Sequence, residues 1–276
     1  MIPAPFEYVR VGTVDDAIQA LSDSGDAKIL AGGHSLLPLM RLRLARPALL
    51  VDIGRIDALR YVREDGDHVA IGALTRHHDV ANDDVLQRHC PIVPYAASLI
   101  GDPQVRHVGT IGGSISHSDP ASDMPTVLVA LGADLVVAGQ GGATRTVPAG
   151  DFFKGLFEPD LATNEVLSEI RVPKTGDRGW SYVKFNRRAQ DWALVGVAAL
   201  AANGSGASVA LTNMSDRPLR ASGVEEALSG GADAAAAAER AAEGSSPPSD
   251  AFASGEYRRE LAKVLVRRAL EEANAR

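Results

Sequence analysis

The chain has 276 residues, 45% hydrophobic and 23% charged, an ordinary globular composition with ample length for a proper core. A formal net charge of −7, with no stripe of Lys/Arg that would track phosphates, argues against nucleic acid as the main partner. The single cysteine, Cys90, excludes an internal disulfide and leaves no thiolate set for an iron–sulfur cluster or zinc finger held by this chain alone.

The amino-terminal run MIPAPFEYVRVGTVDDAIQAL has neither a basic n-region nor an apolar h-region, and no stretch approaches the ~20 apolar residues of a membrane span, so a cytoplasmic setting is expected. Thr13 is placed to cap a helix whose first turn carries Asp15 and Asp16 and whose buried stripe is Ala17, Ile18 and Leu21. AKILAGG is a short strand running into two glycines. SLLPLMRLRL follows as a helix with Pro38 in its first turn, and RLRLAR (41–46) is expected to form one solvated helical face. ALLVDIG is a second strand. LRYVREDGDHVAIGA is a hairpin turning at Asp65-Gly66.

A helix-rich region leads to TIGGSISHSDPASDMP (110–125), after which PTVLVALG is predicted helical and ADLVVAGQGGATRTV a hairpin about Gly141-Gly142. EVLSEIRVP closes the first half as a strand. Composition shifts near Thr175-Gly176-Asp177. Beyond it come three strands (WSYVKFNRR, LVGVAALAA, ASVALTN), with Gly204-Ser205-Gly206 read as a hairpin turn. An Ala-rich helix (ADAAAAAERAAE), a linker (GSSPPSD) and a last helix from about Gly255 complete the chain. Tyr257, Leu261, Val264, Leu265 and Leu270 are the expected apolar face of that last helix. Strands preceding helices suggest a small α+β module.

AGGHS (31–35) and TIGGS (110–114) share a design: a β-rich run, two glycines, then hydroxyls. Glycine pairs let successive N–H groups converge and a ligand approach closely, which suits phosphate oxygens, especially where a helix begins. Two such loops can grip the two halves of a diphosphate. The common alternatives are missing: there is no GxGxxG opening a helix, no GxxxxGK[ST], no HExxH and no GxSxG. His77 and His78 are adjacent and would face apart on a helix, so they do not share a metal. His117 and Asp119 lack a third ligand, and a hydrogen-bonding role beside a bound group is expected instead; covalent flavin attachment at His34 is disfavoured.

On these segments the chain resembles the FAD-binding medium subunits of molybdenum hydroxylases, the family of carbon monoxide dehydrogenase medium subunits and the xanthine dehydrogenase FAD domain. PFEYVR, AGGHSLLPLMRLRLARP, VRHVGTIGGSISHSDPASDMP, EVLSEIRVP and KFNRRAQDWALVGVAA carry the resemblance, in matching order and spacing over essentially the whole length. It implies an α+β fold: an FAD-binding domain of the vanillyl-alcohol-oxidase (PCMH) type over residues 1–176, with subdomains of about 1–54 and 55–176. A small α+β domain with a three-stranded antiparallel sheet follows over 177–276.

The resemblance also implies a binding set for FAD. Ala31, Gly32, Gly33, His34 and Ser35 form the first wrap around the diphosphate, with Leu30 and Leu36 flanking them in the binding set, and Thr110, Ile111, Gly112, Gly113 and Ser114 form the second. Ile100 and Gly101 match the adenine end, and Val105 is also in the cofactor-binding set; His117, Ser122 and Asp123 match positions near the ribityl chain and ring. Leu167 would lie against the isoalloxazine and Lys184 near its polar edge, while Asp191 and Trp192 receive no role. No catalytic residue and no metal fall to this chain.

In the family's scheme a large molybdenum–pterin subunit hydroxylates substrate, a small subunit relays electrons through [2Fe–2S] clusters, and the FAD passes them to an external acceptor. An electron-transfer subunit of such a heterotrimer is therefore expected. A free-standing flavin oxidase or dehydrogenase, and a non-redox binding module on the same fold, stay open at this point.

Overall fold

A computed structural model describes residues 1–203 and 206–276; Gly204 and Ser205, the centre of the turn read from sequence, lie outside the described residues. Three sheets organise the chain, each with its own helices. The first is a parallel sheet of β1 (Glu7–Arg10), β2 (Ala27–Leu30) and β3 (Leu49–Asp52), in the order β1-β3-β2. Helix α1 (Val14–Asp23) returns the chain from β1 to β2. Thr13 caps it by accepting from Asp16 N, and Ala17, Ile18 and Leu21 pack on the sheet as their spacing predicts. Helix α2 (Leu36–Arg41) is shorter than expected: it stops at Arg41, and Leu42–Leu44 form an exposed turn rather than a solvated helical face.

The second sheet is antiparallel, with β4 (Val62–Asp65), β5 (His68–Gly72), β6 (Asp134–Ala138), β7 (Thr144–Pro148) and β10 (Val166–Pro173) in the order β4-β5-β10-β6-β7. The β4–β5 hairpin pairs Asp65 with His68, so Gly66, at φ +60°, and Asp67 make the turn, one residue later than Asp65-Gly66. Strands β8 (Phe153–Gly155) and β9 (Glu158–Pro159) form a separate two-stranded ribbon. Between β5 and β6 run six helices: α3 (His77–Ala81), α4 (Asp84–His89), α5 (Ile92–Ser98), α6 (Pro103–Arg106), α7 (Ile111–His117) and α8 (Asp123–Leu131). Every residue of α8 is buried, as an all-round apolar helix must be.

Four antiparallel strands make the third sheet: β11 (Trp180–Phe185), β12 (Val195–Asn203), β13 (Gly206–Thr212) and β14 (Leu219–Arg220). The three expected strands are its body, and the two-residue β14 adds a short edge. β12 alternates cleanly: Val195, Val197 and Ala199 face the carboxy-terminal helices, while Ala198 and Leu200 join the core built around α8. A helix α9 (Ala149–Phe152) precedes β8, and helices α10 (Ser222–Ser229), α11 (Ala234–Ala238) and α12 (Gly255–Ala275) cover the outer face. The Ala-rich helix is only Ala234–Ala238, with turns from there to Gly244. The buried face of α12 is rotated from the expected one: Arg258, Ala262, Leu265, Val266, Ala269, Leu270 and Ala273 are inside, while Tyr257 and Val264 are exposed. Small alanines let α12 lie close on the sheet, and Arg258 is admitted because Leu194 O and Asp250 accept its protons.

Candidate functional site

Strand β2 ends at Leu30 opposite Asp52, and Ala31–Ser35 leave the carboxyl edge of the parallel sheet before α2 begins at Leu36. The crevice beyond the carboxyl ends of parallel strands is where such sheets take ligands. Gly33 sits at φ +73°, a conformation that a side chain would strain. Among the described residues, the N–H groups of Gly32, Gly33, His34 and Ser35 donate to no carbonyl or side chain. Consecutive unpaired amides on a tight bend form a cradle for an anion with several acceptor oxygens.

The second corner is built differently. Thr110 caps α7, so Gly112 and Gly113 lie in the first helical turn. Their amides are engaged: Ile111 N donates to Thr75 O, Gly112 N to Ala73 O at 2.9 Å, and Gly113 N to Thr110 Oγ1 at 3.2 Å. Gly112 is needed for contact, since a Cβ there would stand 2.5 Å from Ala73 Cβ. Free amides are therefore found at the first corner only. The second supplies a close-packed wall and a helix amino terminus.

The corners meet. A Cβ on Gly32 would lie 2.5 Å from Val108 O and 2.8 Å from Gly109 Cα, and one on Gly113 would touch Ala31 Cβ at 3.9 Å. Beneath them His77 donates its backbone N–H to Gly109 O, and its ring packs on Gly109. Burial holds the His77 imidazole down at about 4, with His34 and Arg106 adding positive charge nearby, and its Nδ1 has no partner among the described residues.

Asp123 opens α8 one residue after its N-cap, Ser122, but its carboxylate does not cap the helix. Tyr182 OH donates to it at 2.6 Å and Lys184 Nζ at 2.8 Å, and Lys184 also donates to Leu99 O at 3.1 Å. Asp123 and Lys184 expose only 5% and 6% of their side chains, so this is a buried ion pair between α8 and strand β11 of the third sheet. Burial pushes the Asp123 carboxyl up against the downward pull of Lys184 and Tyr182, and pushes the Tyr182 hydroxyl well above its usual range.

Gly101 and Val105 line a 360 Å³ cavity with Asp102, and the opposite wall is Arg188, Gln190 and Asp191 from the β11–β12 connection. Ile100, beside them, is half-buried against the main core. His117 packs against Phe157 with the rings tilted and their centroids 4.9 Å apart, and burial lowers its pKa. Asp119 Oδ1 accepts from Ala121 N, closing a turn. Leu167, at 4% exposure, is packed at the edge of a β-bulge in β10 and belongs to the main core. Sequence reasoning weighed His77 only as a metal ligand and missed its place beneath Gly109; it also missed Tyr182 and the Arg188–Asp191 pair, although Arg188 and Asp191 lie in a segment already singled out. No group of three or more His, Cys, Asp or Glu side chains is poised for a metal among the described residues.

Residues 4–175 match the family of FAD-binding domains in molybdopterin dehydrogenase, and residues 180–273 match the carbon monoxide dehydrogenase flavoprotein C-terminal domain. The chain belongs to this family of FAD-binding flavoproteins. The carbon monoxide dehydrogenase medium chain of Hydrogenophaga pseudoflava is 46% identical over 229 residues, covering 81% of this chain and 79% of its own length. The glyceraldehyde dehydrogenase medium chain of Sulfolobus acidocaldarius is 42% identical, covering 82% and 81%. A solved structure of carbon monoxide dehydrogenase from H. pseudoflava lacking the Mo-pyranopterin moiety superimposes with a TM-score of 0.96 at 42% identity, over 100% of this chain and 99% of that one. This flavoprotein is an oxidoreductase chain whose cofactor is FAD. Its residues fit the group: four adjacent unpaired amides beside a Cβ-free wall suit a diphosphate.

Proposed function

We propose that this chain is the FAD-carrying electron-transfer subunit of a molybdenum hydroxylase, taking electrons from a [2Fe–2S] partner and passing them to an external acceptor. The observation that carries the reading is the meeting of the two glycine corners at Gly109 with the amides of Gly32–Ser35 unpaired. In this reading Leu30–Leu36 and Thr110–Ser114 enclose the diphosphate. Gly101 and Val105 line the adenine end beside Ile100. His117, Ser122, Asp123, Leu167 and Lys184 surround the ribityl chain and ring. Bound FAD supplies the chemistry of accepting electrons singly and releasing them singly or in pairs.

The chain's own residues bind, orient and exclude water. Gly32–Ser35 donate to phosphate oxygens, Gly112 seats the second corner on Ala73, and Gly113, bare beside Ala31, lets the two corners close together. The Asp123–Lys184 pair is held by Tyr182 and Leu99 O, so its charges are fixed before any ligand arrives. Clusters and molybdenum belong to partner chains, in keeping with Cys90 as the one cysteine, buried and with its thiol pushed up to about 12. We put the domain division at about residue 176, with the first part divided at about 54; the sheets change at both points, while the main core runs on past residue 176 to take in Tyr182, Ala198, Leu200 and Ala210. A cytoplasmic location accords with the absence, among the described residues, of any helix long and apolar enough to cross a membrane.

The test is affinity purification of the full-length chain from its native host, with flavin, iron and molybdenum measured together. Stoichiometric FAD with companion chains bearing iron and molybdenum is expected. A flavin-loaded chain that turns over a small reductant alone, with no companions, would replace this reading with a free-standing oxidase.

A further inference from the structure

Helix α2 ends in an unusual way. Arg43 N–H donates to Met40 O and Leu44 N–H to Leu39 O, the paired bonds of a Schellman ending. Its left-handed slot is ordinarily filled by glycine. Here it holds Arg43, at φ +59°, so an arginine is kept at the expense of backbone strain. The next residue ordinarily tucks an apolar side chain back onto the helix. Leu44 is instead 74% exposed, Leu42 is 55% exposed, and Leu37, earlier in the helix, is exposed too. The exposed Ile2 comes to the same place, its carbonyl accepting from Arg43 Nε at 3.5 Å. Arg41, Arg43 and Arg46 are exposed, and none of them meets a carboxylate among the described residues, in a chain of net charge −7.

An apolar patch ringed by three uncompensated arginines is complementary to an apolar centre rimmed by carboxylates. We propose that Leu37 and the Arg41–Arg46 turn are the docking surface for a partner protein chain that presents such an acidic rim. The inference rests on the reading above that the chain works within an assembly. A second copy of this chain meeting the same patch would set arginine against arginine. Three arginines on an otherwise acidic chain are too few to track a phosphate backbone or an anionic bilayer. The patch also adjoins the cofactor cradle: a Cβ on Gly33 would lie 2.9 Å from Leu37 Cδ1, so a partner seated here braces the first glycine corner.

The experiment replaces the native copy in its host with the tagged full-length chain, wild type or variant. It measures companion chains retained per tagged chain after a salt wash, identified by their iron and molybdenum. It also compares amide hydrogen exchange over residues 36–47 in the free chain and in the complex. Arg41→Glu/Arg46→Glu is expected to lower retention about tenfold, the loss of one strong interface contact. Arg43→Gly is expected to raise the melting temperature of the free chain, by relieving strain, while weakening retention. Slower exchange over 36–47 in the wild-type complex completes the expected result.

If wild type and variants hold the same companions and residues 36–47 exchange equally in both states, this surface is overturned and the assembly reading stands. If wild type holds no companion, both fall. If the variants lose only binding to phosphatidylglycerol vesicles while companions stay, the patch is a membrane contact and the proposal is overturned.

Discussion

Gly109 is the point where three requirements coincide. Gly32 must lack a side chain to pass its Cα, the Thr110 cap starts just beyond it, and the His77 ring packs directly on it. His77 is 4% exposed, and its burial makes it an acid-sensitive support. Its folded pKa of about 4 lies below the ordinary 6.5, so the unfolded chain takes the proton first. The stability it contributes is full above about pH 6.5 and is lost as pH falls towards 4, amounting to about 3 kcal/mol for the whole shift. Replacing His77 with Gln is expected to flatten the fall in unfolding free energy between pH 6.5 and 4, measured by urea titration. An unchanged slope would show that the imidazole is not the titrating group. Nothing local in HHDV marks which histidine is buried. The reason is the distant Gly109 carbonyl that takes the His77 amide.

Element by element, the chain was legible where its own neighbours decide the outcome. Thr13 with Asp15 and Asp16, the alternation in β4 and β5, and the apolar runs of β10 and β12 all carry local signals that tertiary structure then confirms. It was less legible where a distant surface decides. The Tyr257-based face assigned to α12 assumes that large apolar side chains turn inward, but the sheet accepts alanines and one arginine. Arg258 is fully buried and spans Leu194 O and Asp250, thereby tying α12 to the end of the loop that carries Arg188 and Trp192. Arg258→Ala is expected to cost about 2–4 kcal/mol, from lost packing and an orphaned carbonyl, measured by denaturant unfolding. A loss below about 0.5 kcal/mol, ordinary for a surface position, would mean that the helix docks without this anchor. Helix α10 (SGVEEALS) escaped notice because its short apolar stripe of Val224 and Leu228 is set among polar residues.

At the scale of the whole molecule, the third sheet is more than an appendage. Tyr182 and Lys184 on β11 reach across to Asp123 on α8, and Thr212 on β13 donates to Thr126 at 2.8 Å. Asp123 and Lys184, 61 residues apart in the chain, thus belong to one polar network, a pairing that no spacing in the sequence advertises. Breaking one partner would leave a buried charge, which is why such pairs hold segments in fixed registry. The first glycine corner, by contrast, was readable from AGGHS alone, because a short strand, two glycines and a hydroxyl describe a bend whose amides face outward. The measurement that bears most directly on the account is a structure of the flavin-loaded protein in its native assembly. The account predicts diphosphate oxygens about 2.7–3.2 Å from the amide nitrogens of residues within Gly32–Ser35. Amides of Gly32–Ser35 turned to solvent, with the diphosphate bound elsewhere, would contradict it.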